Sequence, residues 1–109
     1  MRIILSLLVL LALAPAVRAE PKNSEWQSTT GNTVRIYNGE QPQFTIHFLT
    51  PNGQSLVAHA SWIDQPNTFT YNLNDGGSAF MAHFIDGGWS IKVTGRGQTN
   101  VWKFIRWLT

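Results

Sequence analysis

From Trp26 onward, apolar residues recur at every second position in run after run, as in Phe44-x-Ile46-x-Phe48 and Leu56-x-Ala58-x-Ala60-x-Trp62, and no stretch repeats at the period of a helix. Side chains at i, i+2 and i+4 line one face of a strand, so each run reads as a strand with one buried face. Gly, Pro, Asn and Asp separate the runs at short intervals. The pattern predicts an all-β chain with eight strands, near 25–29, 33–38, 43–50, 54–63, 68–74, 78–85, 89–95 and 100–108.

Loop length decides which residues of a hairpin share a face, so the turns test this reading. Thr50-Pro51-Asn52-Gly53 has Pro where a type I turn fixes φ and Gly where the following residue needs positive φ. A three-residue loop then sets Phe48 opposite Leu56 and Ile46 opposite Ala58. Asp75-Gly76 and Asp86-Gly87 read as two-residue type I′ turns, with Tyr71 opposite Phe80, Phe84 opposite Trp89 and Ala82 opposite Ile91. A four-residue loop, Asp64-Gln65-Pro66-Asn67, sets Trp62 with Phe69, and Thr30-Gly31-Asn32 sets Trp26 with Ile36. Apolar meets apolar in every pair. Eight strands joined only by hairpins form a meander, which loses both exposed edges by closing. The predicted fold is an eight-stranded antiparallel up-and-down meander barrel. The alternative is an Ig-like β-sandwich.

Trp26 on the first strand, the eight-stranded meander and Arg106 on the last strand resemble the calycin pattern of lipocalin-type and avidin-type barrels. The resemblance implies that the first-strand Trp packs against a basic side chain of the closing strand.

Ahead of the first strand, Arg2, the apolar run Ile3 to Leu13 and Val17-Arg18-Ala19 read as an export signal, with cleavage after Ala19 or, as the runner-up, after Ala16. Removing nineteen of 109 residues leaves a single domain of 90, residues 20–109, with Glu20 to Ser24 as an N-terminal tail. Arg2 and Arg18 leave with the signal, so six basic residues face six acidic ones and the net charge falls to zero. With no basic cluster, neither nucleic acid nor an anionic membrane is an expected partner. Two strands are also too short, and the outward residues too polar, for a barrel that spans a bilayer. The chain has no cysteine, which removes thiol chemistry, Cys-type zinc sites and disulfides together, and points to a bacterial periplasmic or secreted protein.

The expected inward residues are Trp26, Val34, Ile36, Phe44, Ile46, Phe48, Leu56, Ala58, Ala60, Trp62, Phe69, Tyr71, Leu73, Phe80, Ala82, Phe84, Trp89, Ile91 and Val93. They would largely fill so narrow a barrel, and a cavity, if there is one, would lie beside the three alanines. The expected outward face is hydroxylic and uncharged, with Thr45, Ser61, Thr68, Thr70, Asn72, Ser90 and Thr94. The last strand carries apolar residues on both faces. Two readings stay open there: cover by the chain's own tail, or a homodimer contact through strand eight.

His47 and His59 are diagonal neighbours in this register, while His83 stands opposite Thr68, two strands away from His59, so a three-His metal site is not expected. No Gly-x-Ser-x-Gly elbow exposes a nucleophile, and no enzyme activity or cofactor is expected. The meander sorts the loops into two rims. One holds both termini with Glu40, Asp64 and Asp86, which read as turn residues. The other holds residues 30–32, 51–53, 74–77 and a long loop over 95–100, rich in neutral hydrogen-bonding groups. The expected ligand-binding residues are therefore Asn32, Asn52, Asp75, Arg96, Gln98 and Asn100. Arg96 would pair with an anionic or hydroxylic group, and Trp62 or Trp89 would form a stacking floor if the barrel is open. This predicts an exported non-enzymatic binding module for a small polar or amphipathic ligand. The alternative is a periplasmic protein-interaction domain, such as a hydrolase inhibitor, that probes its partner with the N-terminal tail or the 95–100 loop.

Overall fold

A computed structural model describes residues 22–108; the predicted signal over residues 1–19 lies outside them. Eight strands run up and down and close into one antiparallel barrel: β1 (Ser24–Ser28), β2 (Thr33–Tyr37), β3 (Gln43–Leu49), β4 (Ser55–Asp64), β5 (Thr68–Asn72), β6 (Phe80–Ile85), β7 (Ser90–Gly95) and β8 (Gln98–Trp107). β1 pairs with β2 on one side and β8 on the other, so no strand edge is left unpaired. The sandwich alternative is thereby excluded.

Most hairpin registers follow the turns as read. Phe48 faces Leu56, Ile46 faces Ala58, Trp62 faces Phe69 and Tyr71 faces Phe80. The loop before Gln54 is three residues long, with Thr50 N–H donating to Gln54 O at 2.8 Å and Gly53 at φ +92°. Two registers slip by two positions. Trp26 lies opposite Val34 rather than Ile36, because the loop is Thr29-Thr30-Gly31 and puts its Gly third, as the 51–53 loop does. Phe84 lies opposite Ile91 and Ala82 opposite Val93. Here Asp86, Gly87 and Gly88 are all left-handed, and their 3₁₀ turn extends the connection so that Trp89 stays outside the ladder. A slip of two leaves every side chain on its expected face.

Three other turns also depart from expectation. The loop read as four residues, 64–67, is three: Asp64 pairs with Thr68, and Ile63 bulges β4 so that Trp62 still faces Phe69. Around Asp75-Gly76 the ladder stops at Tyr71 and Phe80, with Asn74 rather than Asp75 in the left-handed region. The 95–100 segment is not a long loop: Arg96 (φ 52°) and Gly97 (φ 76°) make a two-residue turn, and Gly95 already pairs with Gln98. Gln98, Thr99 and Asn100 are strand residues.

The expected inward set is the observed core, with Trp26, Val34, Ile36, Ile46, Ala58, Phe69, Ala82, Ile91 and Val93 at 1 % exposure or less. Leu56 and Trp89 are the departures, both exposed at the barrel ends. The mouth pocket described below is not lined by the alanines, each of which pairs across the ladder with a larger side chain: Ala58 with Ile46, Ala60 with Phe44 and Tyr71, and Ala82 with Phe69 and Val93. Ser90, read as an outward surface residue, is buried.

The two-sided apolarity of β8 has a geometric cause. Trp26 pairs with Phe104 but Glu25 with Arg106, so Ile105 is an extra residue that bulges the strand. Before the bulge, Trp102 faces inward and is buried. After it the alternation inverts and Arg106 points outward to Glu25, Nη2 to Oε1 at 3.2 Å. Trp26 therefore does not have the cationic neighbour that the calycin resemblance implies in Arg106. Its ring meets Phe104 and Phe84 edge-on, and its indole N–H donates to the buried Ser24 Oγ at 2.8 Å.

Candidate functional site

The two ends of the barrel are filled differently. At the end that holds both termini, Trp62, Phe69 and Phe84 pack against one another and against Trp26, and Trp89 and Trp107 lie against Phe104. The Trp62 indole N–H donates to Gly39 O at 2.8 Å, which fixes the ring across the opening. At the other end, β3, β4, β6 and the loop after β5 contribute Phe48, Leu56, Phe80 and Leu73, but β8, β1 and the loop after it contribute Asn100, Gln98, Ser28, Thr30 and Asn32. Short polar side chains cannot meet the aromatics opposite, and an open pocket of about 200 Å³ remains. Trp102, Tyr71 and Thr50 complete its lining.

The pocket is two-sided. Its apolar part is held rigid by ring contacts: Tyr71 stacks on Phe80 at 4.9 Å, and Phe48 lies 5.5 Å from Tyr71 and 5.6 Å from Trp102. Its polar part is held by strand register, because Gln98, Asn100 and Trp102 are alternate residues of β8 on the inward face. Ser28 and Thr30 bond each other at 2.7 Å. Burial pushes the Tyr71 phenol well above its usual pKa, so the group is a neutral hydroxyl at physiological pH.

Of the residues expected to bind, Asn32, Gln98 and Asn100 line this pocket. Asn52 does not; its side chain accepts from Thr50 Oγ1 within the 51–53 loop. Asp75 and Arg96 stand at the same rim but engage each other, Nη1 to Oδ2 and Nη2 to Oδ1, both at 2.8 Å. Arg96 also donates to Ser78 O at 3.1 Å and lies 4.8 Å from the centre of the Phe80 ring. The guanidinium is thus a brace for the pocket wall. Trp62 and Trp89 belong to the opposite end, and the floor expected from them is built from Tyr71 and Trp102 instead.

Sequence reasoning missed Tyr71, Phe80, Phe48 and Trp102 as site residues because their alternation marks them equally well as core. The available signal was positional: Phe48, Tyr71 and Phe80 are each the inward residue nearest the second rim on their strands, and Trp102 follows the inward Gln98 and Asn100 on β8.

Away from the pocket, a shallow groove on the outer face of β3 to β5 is lined by Gln43, Thr45, His59, Ser61 and Asn72. His83 bonds Thr68 at 3.2 Å, in the register expected. Among the described residues no group of three or more His, Asp or Glu is close enough to hold a metal ion. At the terminal rim, Asp64 and Asp86 accept backbone N–H bonds from Asn67 and Trp89 through their carbonyls and so open turns. No family model matches the chain, and neither the curated proteins nor the solved structures include a match.

Proposed function

We propose that this protein is an exported, non-enzymatic binding module that holds a small amphipathic ligand in the open mouth of its barrel. The observation that carries the reading is the asymmetry of the two ends: one is plugged by aromatic rings, and the other leaves a pocket with a rigid aromatic floor on one side and neutral hydrogen-bonding groups on the other. Largely apolar concave sites with a few placed polar groups are where small molecules bind. The closed meander supports a calycin-like reading at the level of architecture. Export rests on the signal-like segment Arg2 to Ala19.

Native mass spectrometry of the protein purified from its own host tests the proposal. A small molecule should be retained by the native protein and lost when Trp102→Ala opens the floor. Repeated isolation of an empty protein, with no perturbation of the Trp102 indole by host metabolite extracts, would count against it.

A protein-interaction domain is the second reading, and exposed apolar residues on the closing strand favour it. Ile105 is 49 % exposed and Trp107 42 %, one at the bulge of β8 and one past it. The tight Arg96-Gly97 turn offers no long probe, and from Lys22 to Ser24 the tail is tied down by bonds such as Gly39 N–H to Lys22 O and Leu108 N–H to Asn23 O. Contact with a partner, or with a second copy of the chain, would therefore go through β8. Ile105→Asp with Trp107→Ser should abolish any self-association or partner capture and leave the pocket resonances in place.

A further inference from the structure

We infer that the pocket selects an uncharged ligand that presents a single ring with a hydrogen-bonding group on one edge, and that the Tyr71 hydroxyl is its anchor. This rests on the reading of the pocket as a ligand site and narrows the chemistry of what enters it.

Size sets the first limit. A dry apolar cavity of ~150 Å³ accommodates benzene. A volume of about 200 Å³ therefore takes one ring and a substituent, or one ring of a larger molecule whose remainder stays outside.

Charge sets the second. Apart from the phenol of Tyr71, which burial keeps protonated, no side chain in the lining ionises. The nearest cation, Arg96, already has both terminal nitrogens on Asp75. An anion entering this space would lose its hydration and meet only a guanidinium already neutralised by Asp75, and a cation would meet no carboxylate in the lining. Both are excluded by the same lining that suits a neutral molecule.

Hydrogen bonding sets the third. Among the described residues, the side chains of Asn32, Gln98 and Asn100 have no hydrogen-bond partner, unlike Ser28 and Thr30, which satisfy each other. Tyr71 is the decisive group. It is 5 % exposed, fixed between Phe80, Phe48 and Trp102, and its hydroxyl has no partner among the described residues although the residue lines the pocket. The hydroxyl opens onto the pocket on a ring already held in place, so a ligand group that pairs with it gains a hydrogen bond without ordering any side chain. The apolar wall then takes the ring face and the β8–β1 wall takes the polar edge.

Three probes that share one ring separate these limits: benzyl alcohol, toluene and benzoate. Each is titrated into the protein at neutral pH while the Trp102 indole N–H and the Asn100 and Gln98 side-chain amides are followed by NMR. Benzyl alcohol should bind at least about five-fold more tightly than toluene and about ten-fold more tightly than benzoate, and Tyr71→Phe should weaken benzyl alcohol about five-fold while leaving toluene unchanged. Equal binding of the three probes, or an unaltered benzyl alcohol affinity in Tyr71→Phe, would overturn the ligand class and leave the pocket reading standing. Failure of all three to shift any of these resonances would overturn both. The ranking of probes on the unsubstituted protein stands alone if Tyr71→Phe does not fold.

Discussion

Arg96 and Asp75 hold each other across the open rim through two parallel hydrogen bonds of 2.8 Å, from a turn and a loop that are far apart in sequence. The pair braces the loop between β5 and β6 against the β7–β8 turn. The Arg96 guanidinium, helped by the Gly77 backbone N–H, holds the Asp75 carboxyl below the usual carboxylate range. A carboxylate with a depressed folded-state pKa contributes stability that is present above its unfolded pKa and is lost as pH falls through the folded value. The melting temperature of the wild type should therefore approach that of Asp75→Asn as pH is lowered from about 4 to about 2, the window below the ordinary carboxylate pKa. A gap between the two that stays constant over that range would show that the pair does not couple to folding. Both side chains are solvent-accessible, so added salt should narrow the gap at neutral pH.

Two glycines of the same hairpin should fail for different reasons. A Cβ on Gly95 would stand 2.7 Å from Phe80 Cδ2 and 3.2 Å from Phe80 Cα, whereas a Cβ on Gly97 meets nothing within 4 Å but sits at φ +76°. Gly95→Ala should cost about 1–3 kcal/mol by overpacking. Gly97→Ala should cost about 1–2 kcal/mol through backbone strain. Denaturant midpoints would give similar losses, and NMR would separate them: the first should move the Phe80, Tyr71 and Trp102 resonances, the second only those of the turn. Pocket shifts in Gly97→Ala as large as in Gly95→Ala would refute the distinction.

At the other hairpins of the chain, Gly76 (φ 81°) and Gly87 (φ 67°) are both left-handed, and nothing lies within 4 Å of a Cβ on Gly76. Gly76→Val and Gly87→Val should each lose at least about 1–2 kcal/mol through the backbone. Thr70→Ser keeps the hydroxyl that donates to Phe80 O at 2.7 Å and should lose far less. Equal losses in urea unfolding would mean that the left-handed geometry of these turns is not limiting.

The barrel was legible because period-two alternation and short turns constrain one another. A loop of the wrong parity would have set apolar residues against polar ones, and the slips of the β1–β2 and β6–β7 hairpins were by two, which keeps Trp26 and Phe84 facing inward. The site was less legible. Gly95-Arg96-Gly97 with three polar residues after it has the composition of a loop, yet two left-handed residues suffice to turn the chain, and Gln98 and Asn100 become inward strand positions. The β8 bulge was invisible for a related reason: Ile105 is apolar, so nothing in the alternation marks it as the residue that interrupts pairing. Arg96 and Asp75 lie in the expected place, but a sequence does not reveal that two opposite charges at one rim will satisfy each other before they meet a ligand.

Barrel closure supplies the last prediction. Ser24 and Trp26 are alternate residues of β1, both inward, and the indole N–H donates to a serine oxygen that is fully buried. Trp26 lies opposite Phe104 across the seam where the first and last strands meet, so this bond fixes the ring that packs the closure. Ser24→Ala leaves the indole N–H buried and unpaired, at a cost of about 1–3 kcal/mol. Trp26→Phe removes the donor, strands the Ser24 hydroxyl and opens a void beside Phe84, and should cost more. Once the donor is gone, however, removing the acceptor does little further harm. The double variant should be less destabilised than the two single losses added together by about 1 kcal/mol in denaturant unfolding, as expected for residues in direct contact. Strict additivity would mean that the Ser24–Trp26 bond contributes nothing to holding the seam shut.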